Sequence, residues 1–266
     1  MVNLPITVIT VCYNSFDAIE KTIQSVLGQT YPNIEYIIID GASTDGTVDV
    51  IRKYESKIAK FISEPDKGIY DAMNKGISLA TGQWTIFMNA GDAFHNVNVI
   101  SSIFSSVKSD KLALIYGDVE LDFGKIGLLR KFYSNVSRDD LPFEVCHQSL
   151  FTRTSLLKKY KYNTLYKIAA DQDCVYRIMN DGFESEYIPI VVSDFCPIGG
   201  VSAIKVEQLK SEIRKIKGIT TNQISFYRKL VDKIKNILAL YLPSDWYYVL
   251  RYKAASKQNK LFKIIR

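Results

Sequence analysis

The segment GQWTIFMNAGDAF (residues 82–94) runs as an apolar strand and then breaks into Asn89-Ala90-Gly91-Asp92. It presents one carboxylate on a small-residue turn. Other apolar runs end comparably: the first in Tyr13-Asn14, the second in Asp40 and then GASTDGT, the third in EPDKG, which carries Asp66 and Lys67. Any one of these is an ordinary turn, since Asp, Asn and Gly are good turn formers. Four such turns, each following a strand, converge where open α/β sheets bind ligands. No G-x-G-x-x-G follows the first strand and no G-x-x-x-x-G-K-[ST] occurs in the chain, so a glycine cradle for phosphates is not on offer. Magnesium or manganese is the substitute expected, because either takes oxygen ligands and bridges a diphosphate with one or two protein carboxylates. Asp92 is the expected ligand.

Further along, AADQD puts Asp171 and Asp173 at a predicted helix start, where a carboxylate can also simply cap helix N–H groups. For Asp173 that capping role is the expected one, with contact to the acceptor or the metal as the alternative. His147, in a strand-like CHQSLF, is a candidate for metal or acceptor contact, with a buried structural histidine as the alternative. His95 is expected to face solvent, and Asp45 to cap the second helix. The four cysteines (12, 146, 174 and 196) form no C-x-x-C pair, so neither a zinc site nor a disulfide framework is expected.

The elements that must position these residues alternate. ITVITVC, IEYIIID, FISE and QWTIFM read as buried strands, separated by helices in SFDAIEKTIQSVLG, in TDGTVDVIRKYESKI with Val48, Ile51 and Ile58 on one side, and in GIYDAMNKGISLA. This rhythm predicts right-handed crossovers and a mostly parallel sheet buried on both faces. The middle changes character, with antiparallel strands expected in LALIYGDVELDF and IGLLRKFY, helices in SLLKKY and DQDCVYRIMNDGF, and a late strand in SEYIPIVVSDF. Beyond Val201 the pattern reads as helical and basic.

At 266 residues with 47% apolar composition, the chain can bury one main core with a smaller appendage. Its net charge of +6 is concentrated after Lys205. No segment reaches the roughly 18 apolar residues of a spanning helix, and the amino terminus has no signal pattern, so a cytoplasmic protein is expected. Aromatics among Lys and Arg in YLPSDWYYVLRYKAASKQNKLFKIIR suit a helix lying on an anionic leaflet through Trp246 and its neighbours, which would hold the protein peripherally on the inner membrane face. The alternative is a helix covering the core with a solvated basic face. No nucleic-acid reader motif accompanies the charge, so no nucleic-acid partner is expected.

Taken together, ITVITVCYNSFDAIEKTIQSVLGQTYPNIEYIIIDGASTDGT, EPDKGIYDAMNKGISLATGQW and FMNAGD resemble the family 2 inverting glycosyltransferases, specifically those building bacterial surface polysaccharides of the O-antigen, capsule and colanic-acid type. The likeness is strong over about residues 5–95, continues through CHQSLF, AADQDCVYRI and GGVS, and fades after about residue 205. It implies a GT-A (Rossmann-like) α/β domain over residues 1–204, with a mixed, mostly parallel sheet, and a basic helical extension over residues 205–266. It further implies transfer of a sugar from a nucleoside-diphosphate donor, expected to be UDP-linked, to a lipid-linked oligosaccharide. By the same resemblance Tyr13 packs on the base, Asp40 accepts from the uracil imide, and Asn14, Asp66 and Lys67 belong to the donor site. Asp92 is the last acid of the metal motif, and Asn89 stands where the first acid is usual. Asp171 falls on the catalytic base, and inverting displacement does need a carboxylate to take the acceptor hydroxyl's proton. Rival readings are a nucleotidyltransferase, expected to carry an early glycine-rich phosphate loop, and an inactive polysaccharide-binding or scaffold protein, for which Asn89 is the only hint.

Overall fold

The computed structural model describes residues 4–107, 109–134, 136–197, 205–219 and 262–265. Its centre is β1 (Ile6–Cys12), buried along its whole length. Alternation splits β1 between two cores. Ile6 and Val8 pack with Ile19, Ile23 and Val26 of α1 (Phe16–Leu27), whereas Ile9 and Val11 pack with Met73 and Ile77 of α3 (Ile69–Leu79). Burial on both faces is why the strand carries no polar alternation beyond its two threonines.

Strands β2 (Ile34–Asp40) and β3 (Lys60–Ser63) add to one side of β1 in parallel, and β4 (Trp84–Phe87) adds to the other, also in parallel. The chain thus builds outward through β2 and β3 and then returns across β1, so strand order reverses between β1 and β4. Beyond β4 the sheet turns antiparallel through β8 (Leu150–Arg153), β6 (Leu114–Asp122) and β7 (Leu128–Lys131). Strand β9 (Ser185–Phe195) pairs parallel with β6 and antiparallel with the two-residue β5 (Ala93–Phe94). The expected α/β class and the mixed sheet flanked by helices are what the structure has.

The remaining helices are α2 (Thr47–Arg52), α4 (Val99–Ser106), α5 (Leu141–Glu144), α6 (Thr154–Tyr160), α7 (Ala170–Asn180) and α8 (Val206–Ile216). Helix α2 is shorter than its periodicity predicts: Val50 and Ile51 are buried, but the chain turns after Arg52, and Ile58 is already extended. The turn lets Tyr54 donate to Glu20 on α1 at 2.7 Å and brings Ala59 N–H onto the Tyr36 carbonyl at the start of β3. Phe16 is exposed at the first turn of α1. The basic extension is not wholly helical, because β10 (Phe262–Ile264) pairs antiparallel with β7 at the sheet edge. The boundary at 204, the GGVS segment and Trp246 lie outside the described residues.

At the amino ends of the parallel strands, opposite the site, Glu35 ties the layers together. Its carboxylate accepts from Thr7 (2.6 Å), Lys60 (3.1 Å), the Thr81 amide (2.7 Å) and hydroxyl (2.8 Å), and the Gly82 amide. Burial favours its neutral form, yet these donors together outweigh burial and bring its pKa down to about 2. A depressed carboxylate pKa adds stability above the unfolded value, and that stability is lost as pH falls through the folded one. Glu35→Gln should therefore cost about 1.5–3 kcal/mol at pH 7, the scale of hydrogen bonds to a charged group. The deficit relative to the wild type should shrink between about pH 4.5 and 2, as urea unfolding at a series of pH values would show.

Candidate active site

The reversal of strand order opens the sheet at the carboxyl ends of β1 and β4, and the chemistry-bearing residues collect there. Beyond β4, Asn89 to Asp92 form a β-turn closed by Asp92 N–H to Asn89 O at 2.9 Å. Gly91 sits at the third position with φ +98°, the conformation a type II turn demands there. Thr22 of α1 clamps the turn, accepting from Gly91 N–H at 3.0 Å and donating to the Asp92 carbonyl at 2.7 Å. The side chain of Asp92 is thereby held at the sheet edge with little freedom.

Asp92 is 9% exposed, and burial pushes its carboxyl up to about 6; His147, Gln148, the Asn89 amide and Lys21 oppose the rise without cancelling it. A carboxylate so incompletely neutralised has a deficit of positive charge. On the same turn the Asn89 Oδ1 is buried and has no hydrogen-bond partner. A negative oxygen and an idle carbonyl oxygen on one rigid turn are the donor set a hard divalent cation takes, so these residues fit the expected magnesium or manganese.

The other side of the cleft holds Asp171, in the first turn of α7. It is not a cap. Its Oδ1 lies 2.8 Å from the Tyr70 hydroxyl and its Oδ2 3.1 Å from His147 Nδ1. Burial raises its pKa, but the bond and charge of His147 and the Tyr70 hydroxyl outweigh burial, so the carboxyl stays below the usual range and is ionised at neutral pH. His147 responds reciprocally: burial disfavours its charged form, while Asp171 and then Asp92 draw it above the ordinary imidazole range. His147 lies in a single 3₁₀ turn, not the expected strand, and its Nε2 is 2.9 Å from Asn89 Nδ2. Asn89, His147, Asp171 and Tyr70 therefore form one hydrogen-bonded chain from the β4 turn to α7.

Two other expectations are corrected. Asp173 does not cap α7; it is buried and pairs with Arg177 one turn on at 2.8 Å, and Arg177 in turn donates to the Tyr160 and Lys161 carbonyls at the end of α6. His95 does not simply face solvent, because its Nδ1 is 2.7 Å from Asp194 Oδ1. Among the described residues, His95, Glu120 and Asp194 bring three metal-type ligand atoms within 4.8 Å of one another. Arg130, however, already donates twice to Glu120.

On the β1–β2 side, Tyr13 is 64% exposed, with its ring free for stacking. Asn14, at φ +45°, braces two loops: its amide donates to Ser43 Oγ (2.8 Å) and its Oδ1 accepts from Thr44 N–H (3.0 Å). Asp45 takes the Thr47 amide at the start of α2, and also the Phe16 amide. Asp40 is wholly buried, its oxygens engaged by the Ser43 amide and hydroxyl, Ser63 and Cys12. A base edge reaching it would have to displace one of these donors, so the open acceptor expected there is not what the structure has. Asp66 is better placed. Its Oδ1 accepts from Gly68 N–H (2.7 Å), and its Oδ2 occupies the space left by the missing side chain of Gly41: a Cβ there would stand 2.5 Å from Asp66 Oδ2 and 3.3 Å from Tyr13 Cδ2. Lys67 beside it is exposed. Tyr70 and Gln148 were not singled out from the sequence; both lie next to motif residues, but only the fold shows that they reach Asp171 and Asp92.

The fold is that of GT-A glycosyltransferases, and comparison with known proteins agrees. The model of glycosyl transferase family 2 matches residues 7–186, and the chain belongs to that family. It is 29% identical over 194 residues to a PGL/p-HBAD biosynthesis glycosyltransferase of Mycobacterium bovis, covering 70% of this chain and 74% of that one. Among solved structures it resembles TarS 1-349 of S. aureus in complex with UDP-GlcNAc, at a TM-score of 0.68 and 18% identity, covering 97% of this chain and 76% of the other. It also resembles the mannosyltransferase PcManGT of Pyrobaculum calidifontis in complex with GDP-Man and Mn2+, at a TM-score of 0.61 and 16% identity, covering 97% and 88%.

Tyr70→Phe removes a buried donor to Asp171 and to the Ile168 carbonyl, which its hydroxyl approaches at 2.6 Å. The variant should fold, and should lose about 1–3 kcal/mol in denaturant unfolding at neutral pH, the cost of stranding buried acceptors.

Proposed function

We propose that the chain transfers a sugar, with inversion, from a UDP-linked donor to a lipid-linked oligosaccharide during assembly of a cell-surface polysaccharide of the O-antigen or capsule type. The observation that carries this reading is Asp171: a partly buried, ionised carboxylate oriented by two donors and linked through His147 to Asn89 of the turn that bears Asp92. As the acceptor oxygen attacks the anomeric carbon, Asp171 takes its proton, and the bond to the diphosphate breaks on the opposite side. Tyr70 suits both states of the base. Its single proton points to Asp171 while the carboxylate is charged; once Asp171 is protonated and can donate, the hydroxyl turns to the Ile168 carbonyl. His147, its Nδ1–H donated to Asp171 and its Nε2 accepting from Asn89 Nδ2, orients the base and anchors it to Asn89.

Asp92 and Asn89 would hold the divalent metal, which supplies charge to offset that developing on the departing diphosphate. Tyr13 stacks on the base, and Asp66, not Asp40, accepts from its N–H edge, with Gly41 leaving the room. Asn14 acts by fixing the loop that presents Tyr13, and Lys67 lies close enough in sequence to reach a donor phosphate. Asp173 serves by tying α7 to α6.

The test is turnover. In a screen of UDP- and GDP-sugars with manganese, the wild type should release UDP. Asp171→Asn should lose two or more decades of rate, roughly the scale of a general base, with UDP binding little changed. Asp92→Ala should lose manganese-dependent UDP binding while keeping the fold. Undiminished turnover in EDTA would reject the metal, and unchanged turnover in Asp171→Asn would reject the base.

Confinement of such an acceptor to a bilayer gives the basic extension a role, since a docked enzyme meets the lipid at raised effective concentration. No described helix is long and apolar enough to cross a membrane. Peripheral docking through residues 225–266 on the inner leaflet predicts salt-sensitive sedimentation with anionic liposomes and none with neutral ones. Equal, negligible binding to both at low salt would reject it.

A further inference from the structure

Helix α7, which carries Asp171, begins at Ala170, and its N-cap is Ala169, whose methyl group cannot accept from any amide. The three residues that lead into it are held instead by an acceptor from the C-terminal extension. Glu212 of α8, 5% exposed, receives the amides of Lys167 (3.0 and 3.1 Å), Ile168 (2.9 Å) and Ala169 (2.9 Å). Three successive amides converging on one anion form the concavity that elsewhere binds phosphate; here the protein fills it with its own carboxylate. Gln208, one turn earlier on α8, donates to Glu212 Oε1 at 2.9 Å and fixes its rotamer. Burial favours the neutral acid, but the amides of Lys167, Ile168 and Ala169 together with Gln208 outweigh it, and Glu212 stays charged.

The segment so gripped touches the base. Ile168 supplies the carbonyl that shares the Tyr70 hydroxyl with Asp171, and Ala169 is the residue from which α7 starts. Any slack at residues 167–169 moves the carbonyl that Tyr70 needs and the helix start that aims Asp171. The rest of α8 shows how unusual Glu212 is: Val206, Leu209, Ile213 and Ile216 are only half-buried, Lys205, Lys215 and Lys217 are exposed, and Glu212 alone on the helix is fully buried. A helix in a basic segment has buried its acid and left its apolar residues partly outside. Such an arrangement makes little sense as generic packing, since burying a charge is costly unless it is fully bonded.

We propose that Glu212 is a positioning residue for the reaction: a carboxylate from the C-terminal extension that locks residues 167–169 and, through Tyr70 and the start of α7, holds Asp171 in its working orientation. The extension is then part of the catalytic unit, quite apart from any membrane docking. The proposal rests on Asp171 being the base.

The experiment uses the full-length chain and the UDP-sugar that the wild type turns over, with Glu212→Gln, Glu212→Ala, Tyr70→Phe and Asp171→Asn side by side. Glu212→Ala should lower kcat for UDP release by on the order of tenfold to a hundredfold, the scale on which small misplacements cost rate, with KM for the donor and UDP affinity within about twofold. Glu212→Gln, which keeps one acceptor oxygen, should fold and fall between. Because the effect passes through Tyr70, Glu212→Gln should cost less rate in the Tyr70→Phe background than in the wild type. Folded Glu212 variants with wild-type kcat, or rate losses that simply multiply with Tyr70→Phe, would overturn the positioning role. Wild-type turnover in Asp171→Asn would overturn the base itself, and the positioning role with it.

Discussion

A carboxylate can remain charged inside a protein only where other groups are committed to it, and Asp171 commits three separate stretches of chain. Tyr70 comes from the first turn of α3, His147 from the 3₁₀ turn before β8, and the aspartate itself from α7. Meeting this demand joins the parallel half of the sheet, where α3 packs on β1 and β2, to the antiparallel half begun by β8. His147 extends the chain to Asn89, so the turn bearing Asp92 is fixed relative to Asp171 as well. The geometry of the cleft follows from keeping that one anion satisfied.

The opposite edge of the sheet obeys the same logic with another purpose. Glu35 gathers donors from β1, β3 and the α3–β4 loop, and holds the amino ends of the parallel strands in register. Asp40, at the carboxyl end of β2, is saturated by Ser43, Ser63 and Cys12 and serves as a loop anchor. Of the acids near the exposed Tyr13 ring, the one kept open is Asp66, and it fits because residue 41 has no side chain. A structural acid and a ligand-facing acid can look alike in sequence; what separates them is how many of their oxygens the protein has already used.

Repeated strand and helix periodicity made the parallel half of the fold legible, because strands buried on both faces and amphipathic helices leave a local signature in about every ten residues. The same local reading found the Asn89 to Asp92 turn, since a glycine with positive φ at a strand end is a demand of the backbone itself. It also placed Asp171 at a helix start. Local reading failed where a side chain's role depends on which partner the fold gives it. Asp173 at the start of α7 has the spacing of a cap, but Arg177 one turn on is a stronger partner. His95 read as a loop residue because Asp194 approaches it from a strand a hundred residues later.

By itself, then, the sequence determined the family, the class of fold and which residue types stand at the strand ends and helix starts: carboxylates at Asp92 and Asp171 and an aromatic at Tyr13. These follow from short-range rules of periodicity, turn conformation and motif. Tertiary structure alone decided which acid is free and which is bonded, that Tyr70 and His147 bond to Asp171, and that Glu212 reaches back to the amides just before the helix that carries it. The reason is that a carboxylate's role is set by its desolvation and its donors, and those come from residues distant in the chain, whose arrival only the folded topology determines.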